Sequence, residues 1–370
     1  MKLLKNEKGL ENSQNFQKKL LMKGNEVCAE AALQAGCKFY AGYPITPQNE
    51  IPEYMSRRSK DFNSVFIQAE AEISAINMLF GASAAGFRCM TSSSSPGISL
   101  KQEGISYIAG GELPCVIVNI VRGGPGLGNI RAAQSDYFQS TKGGGHGDYH
   151  MIVLAPSTLQ EIYDLTMDAF DYADYYRNPV MILGDGILGQ MFEPVEIKSY
   201  KPILTLPKKD WILDGCKDRE PRVVKTLHLR PLLDLVEHNI HLTKKYNKIK
   251  KELNLVETSQ TEDAELIIVA YGITARIAKE AIKKAREEGL KVGMIRPITL
   301  WPFPSETIEK ASEKTKKFLS VEMSNGQLIE DVKLSLFGKA GIQAEHFGLG
   351  GGWYPSPGNI YEKIKEFYEK

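Results

Sequence analysis

The sequence predicts an α/β protein, a doubly wound parallel-sheet domain followed by a smaller α/β domain. From about residue 24 to 190, apolar β-rich runs alternate with helical patterns, which is how a doubly wound sheet reads. After a polar, lysine-rich stretch the alternation resumes near residue 263. At 370 residues the chain also exceeds the size at which one hydrophobic core usually keeps growing, so two domains are expected.

In order, Asn25 is placed to N-cap a helix that runs to Ala35 and that Gly36 can end. Strands are expected at Lys38–Gly42, Ser64–Gln68, Phe87–Thr91, Cys115–Val121, Met151–Leu154 and Val180–Leu183, with helices at about 71–85, 98–110 and 158–176. The last helix opens on Ser157-Thr158-Leu159-Gln160, an S-x-x-Q capping box. Residues 193–262 change character, with Pro, Lys and Trp first and then a charged helical stretch through Lys244 to Lys251. The second unit reads as strand Glu265–Tyr271, helix Ala275–Glu288, strand Lys291–Ile295, a helix near 305–313, strand Lys317–Glu322 and helix 326–337, an order that suggests a small parallel sheet.

Charge excludes some functions. With 46 basic and 45 acidic residues, no global field favours nucleic acid or an anionic membrane. Met1 to Lys23 holds no apolar run long enough for a signal peptide or a membrane span, so a cytoplasmic protein is expected. The five cysteines, Cys28, Cys37, Cys89, Cys115 and Cys216, are scattered without any C-x-x-C pair. That spacing excludes a self-contained iron–sulfur or zinc site of the usual kind. If the protein handles electrons, another chain must carry the clusters.

Four motifs follow strands, where open α/β sheets bind ligands. Gly42-Tyr43-Pro44-Ile45-Thr46-Pro47 holds Thr46 on a turn stiffened by two prolines, serving either a ligand or simply as a helix cap. Gln68-Ala69-Glu70-Ala71-Glu72 brings two carboxylates to a helix start. They either cap that helix or place one desolvated acid in the sheet crevice, where it can share a proton with a heterocycle nitrogen. Thr91-Ser92-Ser93-Ser94-Ser95-Pro96-Gly97 offers small hydroxyls and a helix N-terminus, or a plain serine-rich cap. A serine-hydrolase reading is weak because the G-x-S-x-G elbow is missing.

After the strand ending at Val121 comes Arg122-Gly123-Gly124-Pro125-Gly126-Leu127-Gly128, then Arg131, Gln134-Ser135-Asp136-Tyr137 and a fifth motif, Gly143-Gly144-Gly145-His146-Gly147-Asp148. The dinucleotide fingerprint G-x-G-x-x-G fails here because residue 129 is Asn. Arg122 can pair bidentately with a substrate carboxylate or serve as a structural arginine bonded to loop carbonyls. Gly184-Asp185-Gly186 reads as a turn, and His238 and His241 as surface histidines.

Taken together, these five motifs resemble the alpha-type subunit of 2-oxoacid:ferredoxin oxidoreductases, in order and spacing, over nearly the whole chain from Met22. Ser92–Gly97 with Gln134-Ser135-Asp136-Tyr137-Phe138 and the triple glycine is most similar to the 2-oxoisovalerate (branched-chain) branch, with the 2-oxoglutarate branch the close alternative. The resemblance implies an N-terminal extension (1–21), a thiamine diphosphate pyrimidine-binding domain (22–192), a connecting arm (193–262) and a transketolase C-terminal-like domain (263–370). It carries Glu72, counted back from Gly81, into the role of the acid that bonds the cofactor's aminopyrimidine ring, with Pro44 and Ser94 also against the cofactor.

The resemblance further implies that Thr46 and Arg122 hold the 2-oxoacid carboxylate, with Arg131 a second candidate. Coenzyme A accepts the acyl group. A beta-type subunit brings the diphosphate and Mg2+ side of the site, and gamma and ferredoxin-like subunits complete the complex and its iron–sulfur clusters. No nucleic acid or membrane partner is expected. Two readings of other classes compete: a non-catalytic structural or docking subunit, and a nicotinamide or flavin dehydrogenase on the same α/β pattern.

Overall fold

The computed structural model describes residues 19–229 and 233–370, so residues 1–18 of the expected N-terminal extension lie outside it. The first part contains β1 (Lys19–Lys23), α1 (Gly24–Gln34), β2 (Phe39–Gly42), α2 (Glu50–Arg58), β3 (Val65–Gln68), α3 (Glu72–Ala84), β4 (Cys89–Ser93), α4 (Ser95–Gly110) and β5 (Cys115–Val121). It continues with α5 (Tyr137–Thr141), β6 (Ile152–Leu154), α6 (Leu159–Tyr176), β7 (Pro179–Asp185), α7 (Gly186–Gln190) and β8 (Phe192–Glu196). A long helix, α8 (Leu233–Glu252), leads to β9 (Val256–Ser259), β10 (Leu266–Ala270), α9 (Gly272–Glu287), β11 (Val292–Pro297), β12 (Thr299–Trp301) and α10 (Ser305–Ala311). The chain ends with β13 (Lys317–Val321), α11 (Leu328–Ser335), β14 (Gln343–Phe347) and α12 (Pro357–Glu369).

Seven strands form the larger sheet in the order β12-β6-β7-β5-β4-β2-β3. From β6 to β3 every pairing is parallel. The far edge is closed by β12, antiparallel to β6, although it comes from the C-terminal segment. β5 is buried at every position, which is why Cys115–Val121 is apolar on both faces, broken only by Asn119, rather than alternating: a parallel sheet is covered on both faces. The smaller sheet has the order β14-β13-β10-β11-β9, parallel except for β9, which runs antiparallel to β11. β1 and β8 form a separate antiparallel pair.

Two expected caps are shifted. Asn25 lies inside α1, whose N-cap is Lys23, because the Asn25 amide donates to Pro47 O and Glu50 Oε2, both at 2.7 Å. It thereby ties the first helix to the second proline of the Thr46 turn. At α6 the cap is Thr158, whose hydroxyl accepts from Glu161 N, one residue later than the S-x-x-Q pattern implies. Glu161 also accepts from Ser157 N and Oγ, so the box is built on Glu161 rather than Gln160.

The two sheets share apolar packing, since Ile267, Val269, Ile295 and Phe318 join the core of the larger one. Arg296, 3% exposed, bridges the two by bonding Glu161 through Nη1 (2.9 Å) and Nη2 (2.7 Å) and Glu257 through Nε (2.6 Å). Removing one partner of such a buried network leaves uncompensated charge. Arg296→Leu is therefore expected to cost about 3 kcal/mol and to lower the thermal melting midpoint by several degrees. An unchanged melt would show that the bridge contributes nothing to stability.

Candidate active site

The chain passes from β2 to the sheet edge at β3 and then returns beyond β2 to β4, so strand order reverses between β2 and β4. Such reversals are where open α/β sheets bind ligands. Here β2 and β4 pair only through Phe39↔Cys89 and Tyr40↔Met90, and the ladder stops short of both carboxyl ends. Beyond that point side chains take over. The Tyr40 hydroxyl donates to Ser92 Oγ (2.6 Å), which donates to Gln48 Oε1 (2.5 Å). The first four motifs of the sequence thus leave the carboxyl ends of four neighbouring strands, β3, β2, β4 and β5.

Of the two acids after β3, Glu70 is exposed and accepts from Ser74, whereas Glu72 is 5% exposed in the first turn of α3. Among the described residues no group hydrogen-bonds the Glu72 carboxyl, which is unusual for a buried carboxyl. Ser93 and Ser94, at the end of β4 and the N-cap of α4, are fully buried, and among the described residues neither hydroxyl has a partner. Gly97 completes the group. A Cβ there would lie 2.1 Å from Ser93 Oγ and 2.5 Å from Glu72 Oε1, so only glycine leaves this acid and hydroxyl their places. A buried carboxyl and two free hydroxyls together form an unsatisfied polar cradle, suited to a heterocycle with its own donors and acceptors.

The substrate-side candidates are arranged differently from one another. Arg122 is 6% exposed, with Nη1 donating to Thr46 O (2.9 Å) and Nη2 to Leu127 O (3.0 Å), while Nε is buried without a partner among the described residues. The guanidinium thus holds loop carbonyls, tying the Thr46 turn to the glycine-rich loop. Thr46 and Pro44 are exposed, at the mouth of the crevice. Arg131 is also exposed; its side chain lies against Gly352 of the C-terminal part, and no hydrogen bond occupies its guanidinium among the described residues. On the floor, Ser95 N donates to Asn119 Oδ1 and Asn119 Nδ2 to Asp136, whose carboxyl is held above the usual range by burial.

The fifth motif packs on α4. Gly144 and Gly145 lie against Gln102, and His146 O accepts from Ser106 Oγ. Its glycines allow that close packing and bring no side chain to join Glu72. Asp185 likewise caps α7, accepting from Ile187 N and Leu188 N. His238 bonds Gly110 O and is half-buried, whereas His241 is exposed beside Glu112.

Sequence reasoning passed over Lys101. It is fully buried, and its Nζ donates to Thr91 Oγ1 (2.6 Å) and Ser92 O (3.1 Å). The signal was available: Ile98, Lys101, Ile105 and Ile108 recur at helical spacing, so the lysine stands on the apolar face of α4.

Fold and crevice define an α/β protein with a buried acid at a sheet's topological switch, where open α/β sheets bind ligands. Residues 30–258 match the family model described as pyruvate flavodoxin/ferredoxin oxidoreductase, thiamine diphosphate-binding, and residues 264–360 match pyruvate:ferredoxin oxidoreductase core domain II. The chain belongs to the 2-oxoacid:ferredoxin oxidoreductase family. It is 50% identical over 315 residues to the ketoisovalerate oxidoreductase subunit VorB of Methanothermobacter marburgensis, covering 85% of this chain and 89% of that one. The 2-oxoglutarate synthase subunit KorA of Methanocaldococcus jannaschii is 38% identical, covering 84% of this chain and 90% of that one. A solved 2-oxoglutarate:ferredoxin oxidoreductase from Magnetococcus marinus, with 2-oxoglutarate, coenzyme A and succinyl-CoA bound, superposes with a TM-score of 0.83 at 26% identity. That match covers 96% of this chain but 66% of the solved one. Among the described residues no helix is long and apolar enough to cross a membrane.

Proposed function

We propose that this chain supplies the pyrimidine side of a thiamine diphosphate site in a cytoplasmic, multi-subunit 2-oxoisovalerate:ferredoxin oxidoreductase. The reading rests above all on Glu72, a buried carboxyl that, like the buried hydroxyls of Ser93 and Ser94, has no hydrogen-bond partner among the described residues. Glu72 is assigned to the cofactor's ring nitrogen, with Pro44 and Ser94 lining the ring. When bound, thiamine diphosphate supplies the carbanion chemistry by which a 2-oxoacid loses carbon dioxide. Glu72 holds the proton shared with the ring, and its burial strengthens that hydrogen bond. Thr46, Arg122 and Arg131 stand on the side of the substrate carboxylate, whose fixed orientation makes the reaction with the keto carbon nearly unimolecular. The bounds 22–192, 193–262 and 263–370 are assigned to pyrimidine-binding domain, arm and C-terminal domain.

The diphosphate, Mg2+ and iron–sulfur clusters are assigned to beta-type, gamma and ferredoxin-like subunits, in line with the scattered cysteines, and coenzyme A is the acyl acceptor. The branched-chain substrate follows from the higher identity to the ketoisovalerate subunit than to the 2-oxoglutarate subunit.

Because Nη1 and Nη2 of Arg122 reach two different carbonyls, a lysine cannot replace it. Arg122→Lys is expected to raise the KM for the oxoacid about tenfold, as losing roughly 1.4 kcal/mol of binding does. Steady-state kinetics beside a thermal melt check this; an unchanged KM removes Arg122 from the site. The function as a whole is tested by supplying the assembled complex with thiamine diphosphate, coenzyme A and a viologen acceptor, and comparing 2-oxoisovalerate, 2-oxoglutarate and pyruvate. Fastest reduction with 2-oxoisovalerate is expected. A 2-oxoglutarate preference overturns the substrate assignment, and no reduction with any of the three overturns the function.

A further inference from the structure

Two glycine-rich loops from distant parts of the chain meet beside Arg131, and Asn129 joins them. The first runs from Arg122 to Ala132, which pair across its neck, with Gly123 N donating to Arg131 O (2.9 Å). Within it Asn129 N donates to Gly123 O (2.8 Å), and Asn129 Oδ1 accepts from Arg131 N (2.9 Å), an Asx turn. The second is the segment 348–352 between β14 and α12, a run of Gly-Leu-Gly-Gly-Gly. Asn325 Oδ1 fixes it by accepting from Gly350 N (2.8 Å), and Trp353 just beyond packs edge-on against Phe347, with ring centres 5.7 Å apart. Asn129 Nδ2 donates to Gly351 O (2.9 Å), so one asparagine both shapes the first loop and binds it to the second.

The contact between the loops requires glycine. A Cβ on Gly352 would lie 2.7 Å from Arg131 Cβ, 3.2 Å from its Cδ and 2.9 Å from Asn129 Oδ1. A Cβ on Gly123 would lie 2.7 Å from that same oxygen and 3.0 Å from Gly352 N. Gly352, buried and at φ +90°, is thus the platform on which the aliphatic stem of Arg131 rests, while among the described residues nothing bonds its guanidinium. The next residue ties this arrangement to the mouth of the crevice. A Cβ on Gly186 would meet Pro47 Cγ at 3.3 Å and Ala132 Cα at 3.4 Å, so the chain just after Arg131 lies beside the proline just after Thr46. An arginine whose stem is already held has less rotamer freedom to lose when its guanidinium meets a carboxylate.

We propose that Asn129 is a positioning residue for the oxoacid carboxylate, acting through Arg131: by clasping its loop to Gly351 it seats the Arg131 stem on Gly352 and leaves the guanidinium free for the substrate. The inference rests on the assignment of Arg131 to the substrate side of the site. It goes beyond that assignment in giving the C-terminal part of the chain a share in oxoacid binding, through the backbone of one glycine loop. The asparagine that spoils the dinucleotide fingerprint is the residue that makes this clasp.

The test is steady-state viologen reduction by the assembled complex, with 2-oxoisovalerate and coenzyme A varied in turn. Asn129→Ser leaves a hydroxyl that can still accept from Arg131 N but is too short to reach Gly351 O. It is expected to raise the KM for the oxoacid about fivefold, with kcat and the KM for coenzyme A within about twofold of the parent, the pattern of lost binding rather than lost chemistry. Gly352→Ala, which presses on the Arg131 stem from the other loop, is expected to do the same, and where it does not assemble the serine variant suffices. Arg131→Gln supplies the reference. It is expected to raise the oxoacid KM about tenfold, and adding Asn129→Ser to it is expected to raise it no further, since a residue that acts through Arg131 is silent once Arg131 is gone. A merely structural asparagine would add its own loss to that of Arg131→Gln, and such additivity overturns the proposal, as do equal rises in both KM values. An oxoacid KM left at the parent value in Asn129→Ser, while Arg131→Gln raises it, removes the clasp and keeps Arg131 in the site. An unchanged KM in Arg131→Gln removes Arg131 itself, and the inference with it.

Discussion

Glu72→Gln is expected to lower turnover of the assembled complex at least about a hundredfold, the lower end of what a positioned acid–base group contributes. The amide matches the carboxyl in size and can still meet Gly97 and Ser93, so the fold and the packing of α3 on α4 should survive. What it cannot do is exchange a proton with the ring. Glu70 offers no substitute, because it is exposed and accepts from Ser74. Viologen reduction by the complex checks the effect, with the thermal melt as the control. Turnover within a few-fold of the parent would favour the competing view of the chain as a structural or docking subunit.

Gly97→Ala is expected to weaken cofactor binding tenfold or more while leaving the fold intact. Within a helix the change from glycine to alanine is intrinsically favourable by about 1 kcal/mol, and Gly97 is not among the residues with positive φ. The harm is local. The added methyl would stand 2.1 Å from Ser93 Oγ and 2.5 Å from Glu72 Oε1, so both groups must leave the positions from which they would meet the ring. Binding titration beside thermal melting separates the effects: lost affinity with an undiminished melting midpoint is the expected pair. Unaltered affinity would place the ring elsewhere.

Much of this site was legible because its pieces follow strands. A βαβ chain returns each strand in the same direction, so motifs at successive strand ends converge, and the order of the Thr46 turn, Glu72, the serine run and Arg122 along the sequence already encodes their meeting. The resemblance favours Glu72 over Glu70 by its position before Gly81, and Glu72 is the buried one of the two acids. Other features depended on distant closure. The carbonyls that Arg122 grips, Thr46 O and Leu127 O, come from separate loops, and nothing local announces that they will converge on one guanidinium. The glycine motif at 143–148 counts among the five that carry the resemblance, and in the structure Gly144 and Gly145 pack closely on Gln102 of α4. Lys101 was missed because a single lysine in an apolar pattern usually snorkels to solvent, whereas here Thr91 and Ser92 retain it inside. Likewise β12 is three residues long and pairs across the domain boundary, too short to leave a periodic signature.

The central claim is that this chain offers Glu72 to the pyrimidine ring of a shared cofactor. A structure of the assembled complex with thiamine diphosphate bound tests it most directly. The account predicts the ring nitrogen para to the exocyclic amino group within hydrogen-bonding distance of the Glu72 carboxyl, Ser93 and Ser94 beside the ring, and the diphosphate on the partner subunit. A cofactor whose diphosphate sits over the N-terminus of α4, or whose ring makes no contact with Glu72, would contradict it.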